Sequence, residues 1–345
     1  MKEQPITPPL PEDISVVGGG TMGTALAHLL AGKGIRVRLW VYEPELVDAI
    51  NAQRENTLFL PGLPLHPGIV ATSDLGTTIR GAPYVLSVTP AQHLRRIWTE
   101  ARSHLADDAA VICASKGIEV KTGMLMSQVF DAVLGPSASQ RLAFLSGPSF
   151  AREILDGMPT AVVVASENLA LAEAVQRIVS TATFRAYTTD DVIGVELGGA
   201  LKNVIAIAVG AAEGLGLGIN SRAALITRGL AEITRLSIAC GGTPLTQSGL
   251  SGMGDLVLTC TGHLSRNLQV GIRLGRGEIL SDILSGTRMV AEGVATAGPA
   301  LELARSVGIE MPITETVVHL LDGSLSPEDA VTRLMGRRLR SEKED

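Results

Sequence analysis

The chain has 345 residues, enough for two domains, and its 46% apolar and 19% charged residues are typical of a globular protein and exclude a disordered one. A net charge of -6 argues against a broad nucleic-acid interface, since phosphate backbones bind an excess of Lys and Arg, whereas small anions remain possible ligands. The three cysteines have no CxxC spacing and the six histidines no HxxxH spacing, so we predict no disulfide, no metal site and a cytoplasmic location.

The order of the predicted elements divides the chain. Residues 1–13 are Pro-rich without an apolar signal segment and are expected to form a flexible arm, and residues 338–345 a polar tail. Residues 14–190 alternate apolar, β-branched runs with helical patterns, whereas residues 191–337 carry helical patterns alone. Continuous apolar strands in β-α-β order predict a doubly wound α/β domain with a parallel sheet, followed by an all-α domain.

The predicted strands are ISVVGG, VRLWVY, IVATS, YVLSVT, AAVICAS, LAFLSG and TAVVVAS, and the predicted helices between them are TALAHLLAGKG, PELVDAINAQRE, AQHLRRIWTEARSHL and NLALAEAVQRIVSTA. Six helices are predicted in the second domain, at VIGVELGGALKNVIAIAVGAAEG, SRAALITRGLAEITRLSIACG, SRNLQVGIRLGRG, AGPALELARSVG, PITETVVHLLDG and SPEDAVTRLMGR. Ser326 fits an N-cap, and Gly308 and Gly323 fit helix ends. Glu196 and Lys202 interrupt the first of these helices, which leaves an uncharged stretch too short to span a membrane.

The motif Gly18-x-Gly20-x-x-Gly23 follows the first predicted strand and opens the first helix. Such glycines permit a tight turn, let the backbone approach a pyrophosphate and bring helix and strand together, while the helix N-terminus supplies N–H donors. We therefore predict a dinucleotide site. The alternative is a glycine turn that serves only the chain reversal.

Glu43 follows the second strand, where an acidic residue typically binds the adenosine ribose. Its carboxylate would accept a hydrogen bond from the 2′-hydroxyl of NAD and repel the 2′-phosphate of NADP, which favours NAD slightly. Tyr42 is in position to stack on adenine. Arg36 and Arg38 stand nearby, and Glu43 before Pro44 also fits a solvated turn, so both cofactors stay open.

Three further segments end predicted strands at the edge where open α/β sheets bind ligands. Lys116 follows VICAS, Gly147 and Ser149 follow LAFLS, and Thr89 and Pro90 follow YVLSV. We interpret these residues as candidate ligand contacts. A lysine at such a position is also typical of a solvated loop.

The segment GLSGMGDLVLTCTGHLSRNLQVG is predicted to be a flexible glycine-rich loop followed by a helix. Ser265 fits the N-cap of that helix, which places Arg266 and Asn267 in its first turn. Free N–H groups beside a guanidinium favour phosphate binding, and the alternative is a capped surface helix with a solvated arginine. His263 has no second histidine at metal spacing and is interpreted as a surface residue.

Lys202 is a cation within a small and apolar helical run. Gly198 and Gly199 precede it by one turn, so we expect them to clear space on the side from which the lysine projects. One interpretation is a lysine that extends to water. The other is a buried lysine with a lowered pKa and Asp255 as counter-ion, which would protonate the alkoxide that forms when a ketone gains hydride.

The blocks VGGGTMGTALA, ASKGIE, SGPSFARE, ELGGALKNVIAIAVGAAEGLGLGINSRAALITRGLAEI, GMGDLVLTCTGHLSRN, VAEGV and IEMPIT resemble, in the same order, bacterial NAD(P)-dependent glycerol-3-phosphate dehydrogenases. The resemblance extends over nearly the whole chain. It implies a Rossmann domain, a helical domain of the 6-phosphogluconate dehydrogenase type and a homodimer. The implied activity is reversible hydride transfer between NAD(P)H and dihydroxyacetone phosphate, which gives sn-glycerol 3-phosphate for phospholipid synthesis.

The resemblance also implies roles for individual residues. Lys202 matches the proton donor and acceptor, and Asp255 matches the aspartate beside it. The implied substrate contacts are Lys116, Gly147, Ser149, Thr259, Ser265, Arg266 and Asn267. To the cofactor contacts already predicted at Gly18, Gly20, Gly23, Tyr42 and Glu43, the resemblance adds Thr21, Met22, Lys116, Ala151, Arg266, Val290 and Glu292.

Two departures from the family pattern lie in the cofactor segments. Tyr42 stands where many relatives carry histidine or arginine, which leaves the preference between NAD and NADP open, and TMG replaces the serine-aromatic pair of some relatives.

Two other functions remain possible interpretations of the sequence. A β-hydroxyacid dehydrogenase would need an arginine or serine set near the GP strand end, where only Ser146 and Ser149 occur, and a non-catalytic dinucleotide sensor has no use for Lys202 and Asp255.

Overall fold

The computed structural model describes residues 9–285, 290–339 and 341–342, so residues 1–8 of the predicted arm and 340 and 343–345 of the predicted tail lie outside the described residues. The described strands form one sheet in the order β3-β2-β1-β4-β5-β6-β7-β8. Their bounds are β1 Asp13–Val17, β2 Arg36–Trp40, β3 Ile69–Thr72, β4 Tyr84–Ser87, β5 Ala110–Cys113, β6 Leu142–Ser146, β7 Thr160–Ala165 and β8 Phe184–Thr189. The predicted Rossmann architecture is confirmed.

The continuous apolar strands arise because both faces of the sheet are covered. Neighbouring residues of a strand pack into different cores. In β4, Leu86 lies in the core that contains α1 and α7, whereas Val85 lies in the core on the other face. In β5, Ile112 and Val111 divide in the same way. The helices are α1 Thr21–Gly32, α2 Glu45–Asp48 with a π-helical turn Ala49–Gln53, α3 Leu75–Ile79, α4 Leu94–Ala101, α5 Met126–Leu134, α6 Ala151–Leu155 and α7 Leu169–Val179. The sequence patterns do not predict α3, α5 and α6.

The sheet is mixed, which corrects the prediction of a wholly parallel one. β7 runs antiparallel to β6, with Phe144 opposite Ala165, and β8 runs parallel to β7. The connection between β6 and β7 holds only the short helix α6. Strands buried on both faces have the same apolar pattern in either direction, so the sequence could not reveal this reversal. β8 was not predicted, because Arg185 and Tyr187 are exposed and interrupt its apolar pattern.

From Val192 onward the described residues contain helices and their connections, as predicted for an all-α part. The helices are α8 Val192–Gly214, α9 Ile219–Ala239, α10 Pro244–Gln247, a π-helical segment Leu250–Gly254, α11 Asp255–Thr261, α12 Arg266–Gly275, α13 Leu280–Ser285, α14 Glu292–Ser306, α15 Pro312–Leu321 and α16 Pro327–Met335. The Gly249–Gly254 segment was predicted to be a flexible loop and is instead largely helical. A Cβ on Gly252 would overlap the Gln247 backbone, so close packing explains that glycine better than flexibility.

Helix α8 forms the centre of the helical part. When its charged residues are included it is long and apolar enough to cross a membrane, which the short uncharged stretch in the sequence did not indicate. However, 89% of its apolar window is buried inside the protein, as in the core helix of a folded domain. Helix α12 packs against it at very short range, since a Cβ on Gly210 would overlap the Leu268 carbonyl oxygen and one on Gly271 the Ile207 carbonyl oxygen. This contact fixes the start of α12 relative to Lys202 on α8.

The predicted helix boundaries hold where side chains or glycines define them. Ser265 accepts a hydrogen bond from the Leu268 N–H, and Ser326 accepts one from the Asp329 N–H, so both are N-caps. Gly308 and Gly323 follow helices α14 and α15 with φ values of 74° and 76°, the conformation in which glycine commonly ends a helix.

Candidate active site

The turn between β1 and α1 has the geometry that a dinucleotide needs. Gly18 has a φ of 121°, and a Cβ there would lie 2.5 Å from the Val88 carbonyl oxygen. A Cβ on Gly23 would overlap the Gly18 carbonyl oxygen, so the helix and strand backbones touch. Around Gly20, a Cβ would meet no described atom within 4 Å. The turn is therefore tight on its protein side and open where a ligand would lie.

The start of α1 supplies donors for a pyrophosphate. Gly20 is the N-cap, and no side chain of the described residues caps the helix. The N–H groups of Thr21 and Met22 belong to the first turn, which has no intrahelical partners. Free N–H groups at the positive end of the helix dipole attract anions. These residues fit the pyrophosphate of a dinucleotide.

The adenosine end of the predicted site lies just beyond β2. Tyr42 is 64% exposed, its ring packs edge-on against Trp40 at 6.2 Å between centroids, and Glu43 follows it. Arg36 is the first residue of β2 and Arg38 the third; Arg36 contacts acidic residues, and Arg38 donates to two carbonyl groups. Both arginines precede the carboxyl edge of the sheet, where ligands bind, and both are bound to these other partners.

The central cluster joins both parts of the chain. Lys202 Nζ donates to Asp255 Oδ1 at 2.5 Å and to Thr259 Oγ1 at 3.0 Å. Lys116 Nζ, from the loop after β5, donates to Asp255 Oδ2 at 2.7 Å and to the Gly147 carbonyl oxygen at 3.3 Å. Lys202, Lys116, Thr259 and Gly147, all predicted site residues, therefore lie around the Asp255 carboxylate.

Lys202 is buried and does not extend to water. Its residue is 8% exposed, and burial lowers its pKa to about 8. The Asp255 carboxylate acts in the opposite direction and raises that pKa, and the Lys116 ammonium lowers it further. A lysine with a pKa near 8 exchanges a proton readily at neutral pH, which suits a general acid or base.

The glycines of α8 make room for neighbouring elements. A Cβ on Gly199 would lie 2.9 Å from Ser146 Oγ and 3.5 Å from the Lys116 methylene groups, and one on Gly198 would lie 2.7 Å from the Ser251 carbonyl oxygen. The two glycines therefore let the strand end, the loop of Lys116 and the segment before α11 approach the helix that carries Lys202.

The start of α12 presents an unpaired cation. Arg266 is exposed to solvent, and its side chain forms no hydrogen bond or ion pair with the described residues. Asn267 is held firmly, since its amide donates to Asn203 at 2.9 Å and accepts from the Gly293 N–H at 2.9 Å. A free guanidinium, a capped helix N-terminus and an oriented amide fit a phosphate group.

Glu292 connects the helical part to the sheet. Its Oε1 accepts from the Ala91 N–H, in the loop after β4, at 3.0 Å. Its Oε2 is buried without a hydrogen-bond partner among the described residues. Burial raises the pKa of Glu292 to about 7, although the Ala91 N–H and the charge of Arg266 lower it. The orphaned oxygen is available to a donor such as the carboxamide of a nicotinamide. Val290, which is partly exposed, precedes this helix.

The end of β6 forms another wall. Gly147 has a φ of 128°, and a Cβ there would lie 2.9 Å from Val162 Cα, so only glycine fits. Ser149 Oγ donates to the Gly147 carbonyl oxygen at 3.0 Å, and Ala151 is the buried first residue of α6. Ser146 Oγ is buried without a partner among the described residues.

Two residues of the site were not predicted as such. Asn203 bridges α8 and α12, and its position directly after Lys202 in an apolar run is a signal that was not interpreted. Ala91 contributes only its backbone N–H, for which the sequence carries no signal. Within the described ranges, no group of three His, Cys, Asp or Glu side chains is arranged to hold a metal ion.

A dinucleotide-type turn on a Rossmann sheet, with a buried lysine and carboxylate at its ligand edge, defines the class as a two-domain dehydrogenase. Comparison with known proteins identifies the family. The model of the NAD-dependent glycerol-3-phosphate dehydrogenase N-terminus matches residues 13–172, and that of the C-terminus matches residues 191–332. The chain belongs to the NAD-dependent glycerol-3-phosphate dehydrogenase family, and it is an NAD(P)-dependent oxidoreductase that acts on a CH–OH group.

The similarity extends over almost the full length. A glycerol-3-phosphate dehydrogenase [NAD(P)+] from Geobacter sp. (strain M21) is 53% identical over 331 residues, which covers 96% of this chain and 99% of the relative. The one from Geobacter sulfurreducens is 53% identical over 332 residues, with the same coverage. The crystal structure of a glycerol-3-phosphate dehydrogenase from Coxiella burnetii superposes with a TM-score of 0.90 at 38% identity and covers 95% of this chain and 100% of that one.

Proposed function

We propose that the chain catalyses reversible hydride transfer between NAD(P)H and C2 of dihydroxyacetone phosphate, which gives sn-glycerol 3-phosphate for phospholipid synthesis. The observation that carries the proposal is the buried Lys202 ammonium bound to Asp255, beside Lys116, at the carboxyl edge of the sheet. A β-hydroxyacid dehydrogenase and a non-catalytic sensor, the alternatives that the sequence left open, do not agree with the family to which the chain belongs.

Lys202 is the proposed general acid and base. A bound nicotinamide supplies or accepts the hydride, and the C2 oxygen then gains or loses a proton. The Lys202 ammonium, with a pKa of about 8, donates its proton to that oxygen during reduction, and the neutral amine removes it during oxidation. Asp255 and Thr259 hold Nζ in place, so that little reorganisation precedes the proton transfer.

The proposed phosphate site is the start of α12. Arg266 is free to turn its guanidinium to a phosphate, which it can bind with two parallel hydrogen bonds. The Ser265 hydroxyl caps the Leu268 N–H, whereas the N–H groups of Arg266 and Asn267 in the same turn have no intrahelical partner and can bind an anion. Asn267 is held by Asn203 and the Gly293 N–H, which orients this end of the site.

The remaining contacts are proposed from the same arrangement. Lys116 reaches the reaction centre from the sheet and Thr259 from α11, and both are already bound to polar partners of that cluster. The proposed substrate contacts are Lys116, Gly147, Ser149, Thr259, Ser265, Arg266 and Asn267. The proposed cofactor contacts are Gly18, Gly20, Thr21, Met22, Gly23, Tyr42, Glu43, Lys116, Ala151, Arg266, Val290 and Glu292.

We also propose the remaining organisation of the protein. Residues 14–190 would bind the dinucleotide and residues 191–337 the substrate, with the site between them.

Two exposed apolar side chains support a homodimer, Ile219 at 81% exposed and Leu245 at 82%, because large apolar side chains at a surface are commonly covered by a second subunit. Light scattering after gel filtration would measure the mass. The cytoplasm is the proposed location, in line with three free cysteines.

The proposed reaction is tested by mixing the protein with NADH or NADPH and dihydroxyacetone phosphate. We expect the absorbance of the reduced nicotinamide to disappear, and sn-glycerol 3-phosphate to form in equal amount. Unphosphorylated dihydroxyacetone should react far more slowly, and a β-oxo acid should not react. Turnover of the β-oxo acid alone would contradict the proposed substrate, and cofactor binding without turnover of any substrate would favour the sensor.

A further inference from the structure

Arg96 and Tyr42 meet across the adenosine end of the cofactor site. Tyr42 follows β2, and Arg96 lies in the first turn of α4, which follows β4. The Arg96 guanidinium carbon lies 5.7 Å from the centroid of the Tyr42 ring, within the range of a cation–π contact. Since β1 separates β2 from β4, the pair spans the crevice where the strand order reverses and dinucleotides bind.

The guanidinium of Arg96 is available to a ligand. Its side chain is exposed, and within the described part of the chain it forms no hydrogen bond or ion pair. Its neighbour Arg95, by contrast, is bound to Glu119 through three hydrogen bonds. Arg36 and Arg38 are also bound to partners of their own, Arg36 to Glu12 and Arg38 to two backbone carbonyl groups. Arg96 is therefore the cation that the fold brings to Tyr42.

We propose that Arg96 is a specificity-determining residue that binds the 2′-phosphate of NADP, so that the protein accepts NADPH in spite of Glu43. The inference rests on the proposed adenosine site at Tyr42 and Glu43. A planar guanidinium matches a phosphate with two parallel hydrogen bonds, and Tyr42 holds it at the rim before the cofactor arrives. Glu43 accepts a hydrogen bond from the 2′-hydroxyl when NAD is bound instead.

The proposal gives Glu43 and Arg96 opposite effects on the preference between NAD and NADP. Glu43 repels a 2′-phosphate, while Arg96 attracts it from the other side of the crevice. Removal of Arg96 should therefore leave the repulsion without compensation. The contribution of Arg96 should also fall as salt rises, because an exposed guanidinium–phosphate pair is screened by ions.

The test is direct binding, measured by the quenching of protein fluorescence or by calorimetry, of NADPH and NADH to the wild type, to Arg96→Ala and to Arg102→Ala. Arg102 is exposed just after the same helix and serves as the matched control. We expect Arg96→Ala to raise the Kd for NADPH about tenfold or more and the Kd for NADH less than about twofold. Both Kd values of Arg102→Ala should stay close to those of the wild type. Arg96→Ala should weaken the binding of adenosine 2′,5′-bisphosphate as much as that of NADPH. It should affect the binding of 5′-AMP as little as that of NADH.

Two outcomes would overturn the inference. An equal loss for both cofactors would mean that Arg96 contacts the adenine or stabilises Tyr42, and no loss would mean that it takes no part. Failure of the wild type to bind either cofactor would instead contradict the proposed function, so the two failures are distinguishable. Glu43→Gln provides an independent check, since it should strengthen NADPH binding while Arg96 is present.

Discussion

Lys202 and Lys116 bind opposite oxygens of one buried carboxylate, Lys202 at 2.5 Å and Lys116 at 2.7 Å. One lysine lies on the central helix of the helical part and the other on a loop of the sheet, so Asp255 ties the two parts together at the reaction centre. Two ammonium groups beside one carboxylate also explain the pKa of Lys202, which burial and Lys116 lower and Asp255 raises.

Replacement of Lys202 by alanine tests its role in proton transfer. We expect kcat for the reduction of dihydroxyacetone phosphate to fall by about 10²–10⁴-fold, the usual contribution of a general acid or base, while the Kd for NADH stays the same. Lys121→Ala is the control, because Lys121 is an exposed lysine outside the cluster. Unchanged turnover in Lys202→Ala would remove the lysine from the mechanism.

The pH dependence of kcat should report the pKa of Lys202. Reduction needs the ammonium and oxidation needs the amine, so kcat should fall as pH rises through about 8 in the first direction and rise in the second. Asp255→Asn removes the charge that raises the pKa of Lys202, so the fall in kcat for reduction (the falling limb of the pH profile) should occur at lower pH. Lys116→Met removes the like charge and should move the limb to higher pH. Shifts of the same sign in both variants would contradict this electrostatic explanation.

Arg266→Ala should act on the phosphate of the substrate. We expect KM for dihydroxyacetone phosphate to rise at least about tenfold, as a charge-assisted contact is lost, with little effect on the slow reduction of unphosphorylated dihydroxyacetone. Arg276→Ala, an exposed arginine at the other end of α12, is the control. If Arg266→Ala lowers the activity with both substrates equally, Arg266 has a structural role.

Gly20 and Gly23 should respond differently to alanine. A Cβ at Gly20 meets no described atom and its φ is −70°, so Gly20→Ala should keep the thermal midpoint within a few degrees while it weakens NADH binding about tenfold or more. Gly32→Ala, also in open space on the same helix, should leave both properties unchanged. Gly23→Ala should lower the midpoint temperature of thermal unfolding, because its Cβ would overlap the Gly18 carbonyl oxygen. Unaltered NADH binding in Gly20→Ala would contradict the proposed pyrophosphate position.

Periodicity and composition were sufficient for the overall architecture. The apolar strands, the glycine turn and the caps at Ser265 and Ser326 are local features, so the sequence alone predicted them. The antiparallel direction of β7 depends on a short connection, and the helical state of the segment before Asp255 depends on packing against Gln247. Neither leaves a local pattern.

The contacts across the site were the hardest to predict. Lys116 and Asp255 were each interpreted as candidates, but no spacing along the chain indicates that they share a salt bridge. The contact between Glu292 and the Ala91 N–H uses a backbone group, which any residue other than proline would offer. Arg96 gave no signal in the sequence, because its relation to Tyr42 arises only when β2 and β4 flank β1.

The most direct test is a crystal structure with reduced cofactor and dihydroxyacetone phosphate bound together. It should place Lys202 Nζ within about 3 Å of the C2 oxygen and Arg266 on the phosphate of the same molecule, with the nicotinamide against its C2 carbon. A substrate that lies away from Lys202, or a phosphate held elsewhere while Arg266 stays in solvent, would contradict the account.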